Sequence, residues 1–309
     1  MSRILVAGGA GFLGSHLSEL LLSHGHEIVI VDDLSSGLLR NIEPVRDRVT
    51  FISSDIVSAR PEGDFDVVIN LASRASRIEW ETFPVHVALT NSAGNNNLIS
   101  ISRESDALYI YASSSEVYGN PSVVPTPEDY LGRVSTTGTR SPYDEGKRFG
   151  ESLVKAYERQ YGLKTIIIRF FNTYGPRMRG GDLYGRVIDR FIKQATSGTP
   201  LTVYGDGSQT RSFTYVDDSV RAINTLIEKG RIGEVYNVGS DKEIRIIDLA
   251  EKIIEVTDSR SRIEFRELPP DDPVRRSADI SRMRSIGWKP VTSLHDGVRR
   301  TIGKLAEDQ

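Results

Sequence analysis

The chain has 309 residues, enough for one large domain or two modest ones. Its 39 Lys and Arg against 42 Asp and Glu leave a net charge of −3, which gives no reason to expect a nucleic-acid partner or an acidic membrane surface. There is no cysteine, so disulfides, thiolate nucleophiles and cysteine-based metal sites are excluded, and a cytoplasmic location is the fitting expectation. No apolar run approaches the roughly 18 residues of a membrane span. The opening residues Met1-Ser-Arg-Ile-Leu-Val-Ala enter a strand pattern directly and carry no signal-peptide pattern. No metal site is expected: His24 and His26 flank Gly25 in a turn, and His16, His86 and His295 form no ligand pair.

In chain order, Ile4–Ala7, Glu27–Val31, Val49–Ile52, Asp66–Asn70, Ala107–Tyr111 and Thr165–Arg169 read as strands. Helical patterns fall between several of them, notably Gly11–Ser23, Pro84–Arg103 and Asp144–Tyr161. This alternation predicts an α/β fold, a Rossmann-type doubly wound parallel sheet with helices on both faces. After Asn172 the alternation becomes irregular, and glycine and charge rise in Tyr174–Gly185. Residues 1–172 are therefore expected to form a dinucleotide-binding domain, and 173–309 mainly a smaller α+β substrate region. Later segments, roughly 212–240, are expected to return to the first domain. Pro269-Pro-Asp-Asp-Pro273 reads as a loop.

Val6-Ala-Gly8-Gly-Ala-Gly11-Phe12-Leu13-Gly14 follows the first strand and opens the first helix. Such glycines permit a tight turn and close approach to a pyrophosphate at a helix N-terminus. Asp32 ends the second strand, where a carboxylate accepts hydrogen bonds from ribose hydroxyls and repels a 2′-phosphate. NAD is thus expected over NADP. Tyr143 and Lys147, four residues apart on a helix, project from one face. A lysine ammonium there favours phenolate, so the tyrosine can serve as a general base toward an alcohol. Ser114 and Ser115, upstream in Ala112–Gly119, can hydrogen-bond the same alcohol. Tyr204 and Arg211 suit a base to be stacked and a diphosphate to be neutralised, and Arg276 is a second such cation.

The spacing Gly-x-x-Gly-x-x-Gly, with Tyr143-x-x-x-Lys147 and this chain length, resembles the extended short-chain dehydrogenases that modify nucleotide sugars, the NAD-dependent epimerase/dehydratase family. The resemblance covers nearly the whole chain. It implies that Asp55-Ile56 contacts adenine, that Leu71 and Ala72 pass under the nicotinamide, and that Asn91 belongs to the cofactor site. Lys147 is implied to hold the nicotinamide ribose, while Asn172, in Phe170–Arg177, contacts the nucleoside diphosphate. A UDP-sugar substrate is implied, with Ser73, Asn172, Arg177, Tyr204, Arg211 and Arg276 set toward it. So is a homodimer formed through the helices at Pro84–Arg103 and Asp144–Tyr161. The face Phe149, Leu153, Ala156 and Tyr157 reads as core or dimer interface.

Members of this group share hydride removal from sugar C4. An epimerase then returns the hydride to the other face, a 4,6-dehydratase eliminates water, and a decarboxylase loses carbon dioxide from the β-keto acid. The pair Ser115-Glu116 discriminates among them. Dehydratases of the group carry Asp-Glu here, and epimerases a small or neutral residue in place of Glu116. Carbon dioxide leaves without protonation, so Ser-Glu suits a decarboxylase. The strings Ser-Glu-Val-Tyr-Gly, Tyr-Asp-Glu-Gly-Lys-Arg and Phe-Asn-Thr-Tyr-Gly-Pro-Arg-Met resemble the UDP-glucuronate decarboxylases of the group. The leading expectation is therefore conversion of UDP-glucuronate to UDP-xylose, with Ser114 holding the C4 hydroxyl and Ser115, Glu116 and Arg276 attending the carboxylate and ketone. UDP-glucose/UDP-galactose 4-epimerisation stands second and dTDP-glucose 4,6-dehydration third; a non-catalytic NAD-binding protein is the reading from another class. Two departures stand out. Ser114 replaces the threonine common in decarboxylases, and Ala72-Ser-Arg74-Ala-Ser-Arg77 replaces a proline-rich stretch. Arg74 and Arg77 there either grip a sugar carboxylate or are solvated loop charges.

Overall fold

Seven parallel strands form the central sheet of the computed structural model, which describes residues 1–179, 186–267 and 275–307, without the side chains of 305–307. Their order across the sheet is Val235–Val238, Thr165–Phe170, Leu108–Ser114, Val67–Asn70, Arg3–Ala7, Glu27–Asp32 and Val49–Ser53. Each side chain on a parallel strand alternates between two covered faces, so the strands read as unbroken apolar runs. Ile4, Val6, Ile28 and Ile30 pack into one core, and Leu5, Ala7, Val29 and Val31 into the other. The helices Phe12–Ser23 and Val216–Lys229 lie against each other on the first side. Asn95–Glu104 and Ser141–Tyr161 cover the second.

Strand order reverses at Arg3–Ala7, whose neighbours are Glu27–Asp32 on one side and Val67–Asn70 on the other. In open α/β sheets the crevice at such a switch point, outside the strand carboxyl ends, is where ligands bind. Val235–Val238 pairs parallel with Thr165–Phe170 and supplies the seventh strand. The remaining strands are short: Thr173–Tyr174 pairs with Thr214–Tyr215, Leu201–Tyr204 with Ile263–Arg266, and Thr210–Ser212 lies between Glu243–Arg245 and Arg275–Arg276. The expected loop Pro269–Pro273 and the glycine-rich end of Tyr174–Gly185 lie outside the described residues.

Three elements differ from expectation for identifiable reasons. The strand expected to stop at Tyr111 continues to Ser114, and Ser113 and Ser114 pair with Arg169 and Phe170. The helix expected over Pro84–Arg103 is three pieces, Pro84–Leu89, a π-helical turn Thr90–Gly94, and Asn95–Glu104. Within it Thr90, Asn91 and Ser92 donate side-chain hydrogen bonds to the carbonyls of His86, Val87 and Ala88, competing with the helical ladder. A short helix, Arg77–Thr82, forms where no element was expected. Its start carries a Ser76-x-x-Glu79 capping box, the Ser76 N–H donating to Glu79 Oε2 at 3.3 Å.

The glycine turn is sterically exacting. Gly8 has φ +77°, and a Cβ on Gly14 would lie 2.2 Å from the Gly8 carbonyl oxygen. Gly14→Ala is expected to cost about 1–3 kcal/mol of stability, the range for overpacking. It should also weaken dinucleotide binding, because the turn must move. Denaturant unfolding with calorimetric titration of NAD checks both, and an unaltered midpoint would contradict this account.

Candidate active site

Two adjoining cavities open at the switch point, about 260 and 580 Å³. The first is lined by Gly8, Gly11, Phe12, Leu13 and Gly14, so the N-terminus of helix Phe12–Ser23 faces it. Asp32 also lines it, nearly buried, its carboxylate accepting from the Ala10 and Leu34 N–H groups at 2.9 Å. Burial pushes the Asp32 carboxyl up, against the pull of those backbone donors. Asp55, Ile56, Leu71 and Ala72 line the same cavity. Asn91 does not line it. Buried in the π-helical turn, it accepts from Ser73 Oγ at 3.2 Å, so it supports the wall.

Where the cavities meet stand Ser114 and Tyr143, which line both, with Lys147 on the first and Ser115 and Glu116 on the second. Ser114 hydrogen-bonds Tyr143. Lys147 is buried and donates to the Ala112 carbonyl at 2.7 Å, its ammonium 5.0 Å from the Tyr111 ring. The expected effect of this lysine on the phenol is outweighed within the protein alone. Burial raises the Tyr143 phenol despite its Ser114 hydrogen bond, and burial takes Lys147 down to about 7. Neither group has water to solvate its charged form.

Glu116 is the electrostatic centre of the second cavity. Arg276 grips it with two hydrogen bonds, at 2.5 and 3.1 Å, and Arg140 grips it from the helix that carries Tyr143. Burial by itself would raise this carboxyl, but Arg276 and then Arg140 hold it below the usual carboxylate range. Asp144 lies behind Arg140 at 3.3 Å, and burial with the nearby Glu116 charge pushes it up to about 6.

Asn172, Tyr204, Arg211 and Arg276 all line the second cavity. Asn172 donates to the Ser212 carbonyl at 3.1 Å, and Arg276 sits beside Arg211 in the strand register. The Arg190 guanidinium lies 5.1 Å from the Tyr204 ring. Ser73, Arg74 and Arg177, expected at the sugar, line the first cavity instead. Arg74 faces Asp33 and Glu79, each at 3.8 Å, and Arg177 pairs with Glu19 at 2.5 Å. Arg77 reaches the rim of the second cavity but is largely exposed and pairs with Glu81 at 2.8 Å. Sequence reasoning passed over Arg140, Trp80, Arg186 and Arg190. For Arg140 a signal existed: it lies three residues before Tyr143, on the same helical face.

A glycine-turn dinucleotide site joined through a Ser, Tyr and Lys cluster to an arginine-rich cavity defines a nucleotide-linked oxidoreductase site on a Rossmann-type sheet. Residues 4–239 match the model of the NAD dependent epimerase/dehydratase family, and the chain belongs to that family. It is 41% identical to UDP-glucuronic acid decarboxylase 1 of Danio rerio over 303 residues, 97% of this chain and 72% of that protein. Its fold is similar to that of UDP-N-acetylglucosamine 4-epimerase from Methanobrevibacter ruminantium in complex with UDP-N-acetylmuramic acid, with TM-score 0.93 and 30% identity over 100% of this chain and 99% of that one. It is also similar to UDP-glucuronic acid 4-epimerase from Bacillus cereus in complex with UDP-glucuronic acid and NAD, with TM-score 0.88 and 30% identity over 99% of this chain and 100% of that one.

The buried Lys147 sets a stability prediction. Its folded value near 7 lies below the ordinary 10.5, so the unfolded chain holds more protons between those values. Stability contributed by this group is therefore full above 10.5 and is lost as pH falls toward 7. Replacing Lys147 with Met in nucleotide-free protein should shift the melting temperature upward by more at pH 6 than at pH 9, relative to wild type. Equal shifts at the two pH values would show that Lys147 is not desolvated as described.

Proposed function

We propose that the protein decarboxylates UDP-glucuronate to UDP-xylose with NAD as its cofactor. The observation that carries this reading is Glu116 held between Arg276 and Arg140 inside the sugar-side cavity. Among the described residues that cavity is lined by Arg77, Arg140, Arg186, Arg190, Arg211 and Arg276 against Glu81, Glu116 and Asp189. The excess of positive charge matches a diphosphate plus one further carboxylate better than a diphosphate alone. Arg276 Nε is buried and lacks a hydrogen-bond acceptor, a donor ready for such an anion. The named decarboxylase and the named UDP-glucuronic acid epimerase are both consistent with an acidic sugar.

The first cavity fits NAD. A Cβ at Gly8 would lie 2.8 Å from the Ala72 N–H nitrogen, so this bare backbone is what lets the turn close beside the cavity floor. Asp32 and Asp33 both line the adenosine end, where a 2′-phosphate would meet two carboxylates. Bound NAD supplies the hydride acceptor for sugar C4 and a positive charge beside the Tyr143–Lys147 pair. Lys147 would hold the ribose, Tyr143 would take the C4 hydroxyl proton, and Ser114 would orient that oxygen. Loss of carbon dioxide would break the C5–C6 bond and leave its electron pair on an enolate whose oxygen Tyr143 and Ser114 can both hydrogen-bond. A proton from water at C5, return of the hydride to C4 and return of the Tyr143 proton to O4 would complete UDP-xylose and restore NAD. Held ionised, Glu116 is suited to setting the two arginines rather than to donating a proton.

The test is proton NMR of the protein with NAD and UDP-glucuronate, repeated with UDP-glucose. UDP-xylose from the acid, with UDP-glucose unchanged, is expected. Glu116→Gln should lower that turnover by about 10²-fold, because the two arginines lose the charge that sets them. The second reading, 4-epimerisation, is favoured by the likeness to the Bacillus cereus enzyme with UDP-glucuronic acid bound. UDP-galacturonate from the acid or UDP-galactose from UDP-glucose, little changed by Glu116→Gln, would establish it and overturn the first.

The same reading extends to a cytoplasmic homodimer built on Pro84–Leu89, Asn95–Glu104 and Ser141–Tyr161. Val85, Leu89 and Phe149 are exposed on these elements, which supports a covering partner. Among the described residues no helix is long and apolar enough to cross a membrane. Sedimentation at micromolar concentration should give the mass of two chains; the mass of one chain would refute the dimer.

A further inference from the structure

Trp80 has no place in the chemistry above, yet it touches both halves of it. Its indole stacks on the Tyr143 ring, with centroids 5.0 Å apart and planes within 20°. The Arg140 guanidinium lies 5.1 Å from the Trp80 ring centroid. Arg140 in turn binds Glu116 and, through Nε, Asp144 at 3.3 Å. Trp80 is itself fixed. The Ser76–Glu79 box starts its helix, and its Nε1 donates to the Arg74 carbonyl at 3.2 Å. With Val87 and Tyr143 it forms a small apolar cluster separate from the main cores.

We propose that Trp80 and Arg140, anchored by Asp144, form one positioning unit that couples the orientation of the Tyr143 base to that of the Glu116 carboxylate. The unit deepens the decarboxylase reading and rests on it for the substrate used below. Tyr143 and Arg140 sit three residues apart at the start of one helix, so a single indole can fix both. An arginine held by an aromatic ring and two carboxylates has few other rotamers to visit. Shifting the indole would then turn the phenol and loosen the grip on Glu116 together. Both residues are positioning residues: each acts through a neighbour that meets the substrate.

The experiment is a double-mutant cycle on the NAD-loaded enzyme with Trp80→Leu, Arg140→Ala and the pair, reading kcat and KM for UDP-glucuronate. Each single change is expected to lower kcat about 10- to 100-fold, the scale of a small misplacement. KM should stay within about threefold, because the loss falls on the reacting geometry. The double variant should be no worse than the poorer single, and Trp80→Phe, which keeps a stacking ring, should recover most of the rate. Losses that multiply in the double, a loss confined to KM, or an unchanged kcat would each overturn the unit. Where a truncation unfolds the protein, the cycle is run with Trp80→Met, which fills space without a ring, and Arg140→Lys, and is judged by the same non-additivity. If wild type leaves UDP-glucuronate untouched, the decarboxylase reading fails by itself. The cycle then reads the UDP-sugar that wild type does convert.

Discussion

A carboxylate between two arginines holds the sugar side of this protein together. Glu116 follows a strand of the central sheet, Arg140 starts the helix carrying Tyr143, and Arg276 comes from a short strand late in the chain. Arg276 is buried and Glu116 and Arg140 are partly so, and each charge alone would be costly to desolvate. Together they repay that cost only because the Arg276 contact is bidentate and Arg140 closes the other side. Removing one partner from a fully buried cluster typically costs about 3–5 kcal/mol, since it strands the others, and solvent at the partly exposed Arg140 makes the cost smaller here. The same pairing that ties the late strand to the sheet thereby keeps a full negative charge and two cations in the cavity.

Beneath it, a second buried network keeps the strand end in place. Glu151 accepts from Ser113 at 2.6 Å and pairs twice with Arg169, which also donates to the Tyr118 hydroxyl. Tyr118 donates to Asn237 on the seventh strand, and Asn237 donates to the carbonyls of Thr126 and Asp279. Each polar group has a partner, so the network rigidifies the segment 113–118 instead of weakening it. Ser114, Ser115 and Glu116 all ride on that segment. Their placement toward both cavities therefore depends on a residue more than a hundred positions further along the chain.

Much of the fold was legible because its signals are local. Apolar runs of strand length, the glycine turn and the helical spacing of Tyr143 to Lys147 depend on residues close in sequence, and the six expected strands all form. The cofactor wall was equally readable, since Gly8, Gly11, Gly14 and Asp32 lie along one strand–turn–helix–strand unit. The boundaries that slipped did so where side chains bonded to something distant. Ser113 and Ser114 look like a strand's end until Arg169 and Glu151 partner the first and Phe170 the second. The helix broken at Thr90–Gly94 is apolar in period, but its hydroxyl and amide side chains claim the carbonyls that the ladder needs.

The sequence by itself determined the sheet class, the dinucleotide turn and the identity of the Ser, Tyr and Lys cluster, because each follows from backbone sterics or from periodicity over a few residues. Only the tertiary structure decided which arginines line the second cavity. Arg74 and Arg177 turn to acidic partners on the cofactor side, while Arg140, which drew no notice, closes on Glu116. A guanidinium on a long flexible stem goes to whichever carboxylate the fold brings within reach, and that choice depends on contacts far apart in sequence. Tertiary packing likewise set the protonation balance. Burial lifts Tyr143 and lowers Lys147, whereas the two arginines keep Glu116 charged, and no spacing rule contains the water that folding removed.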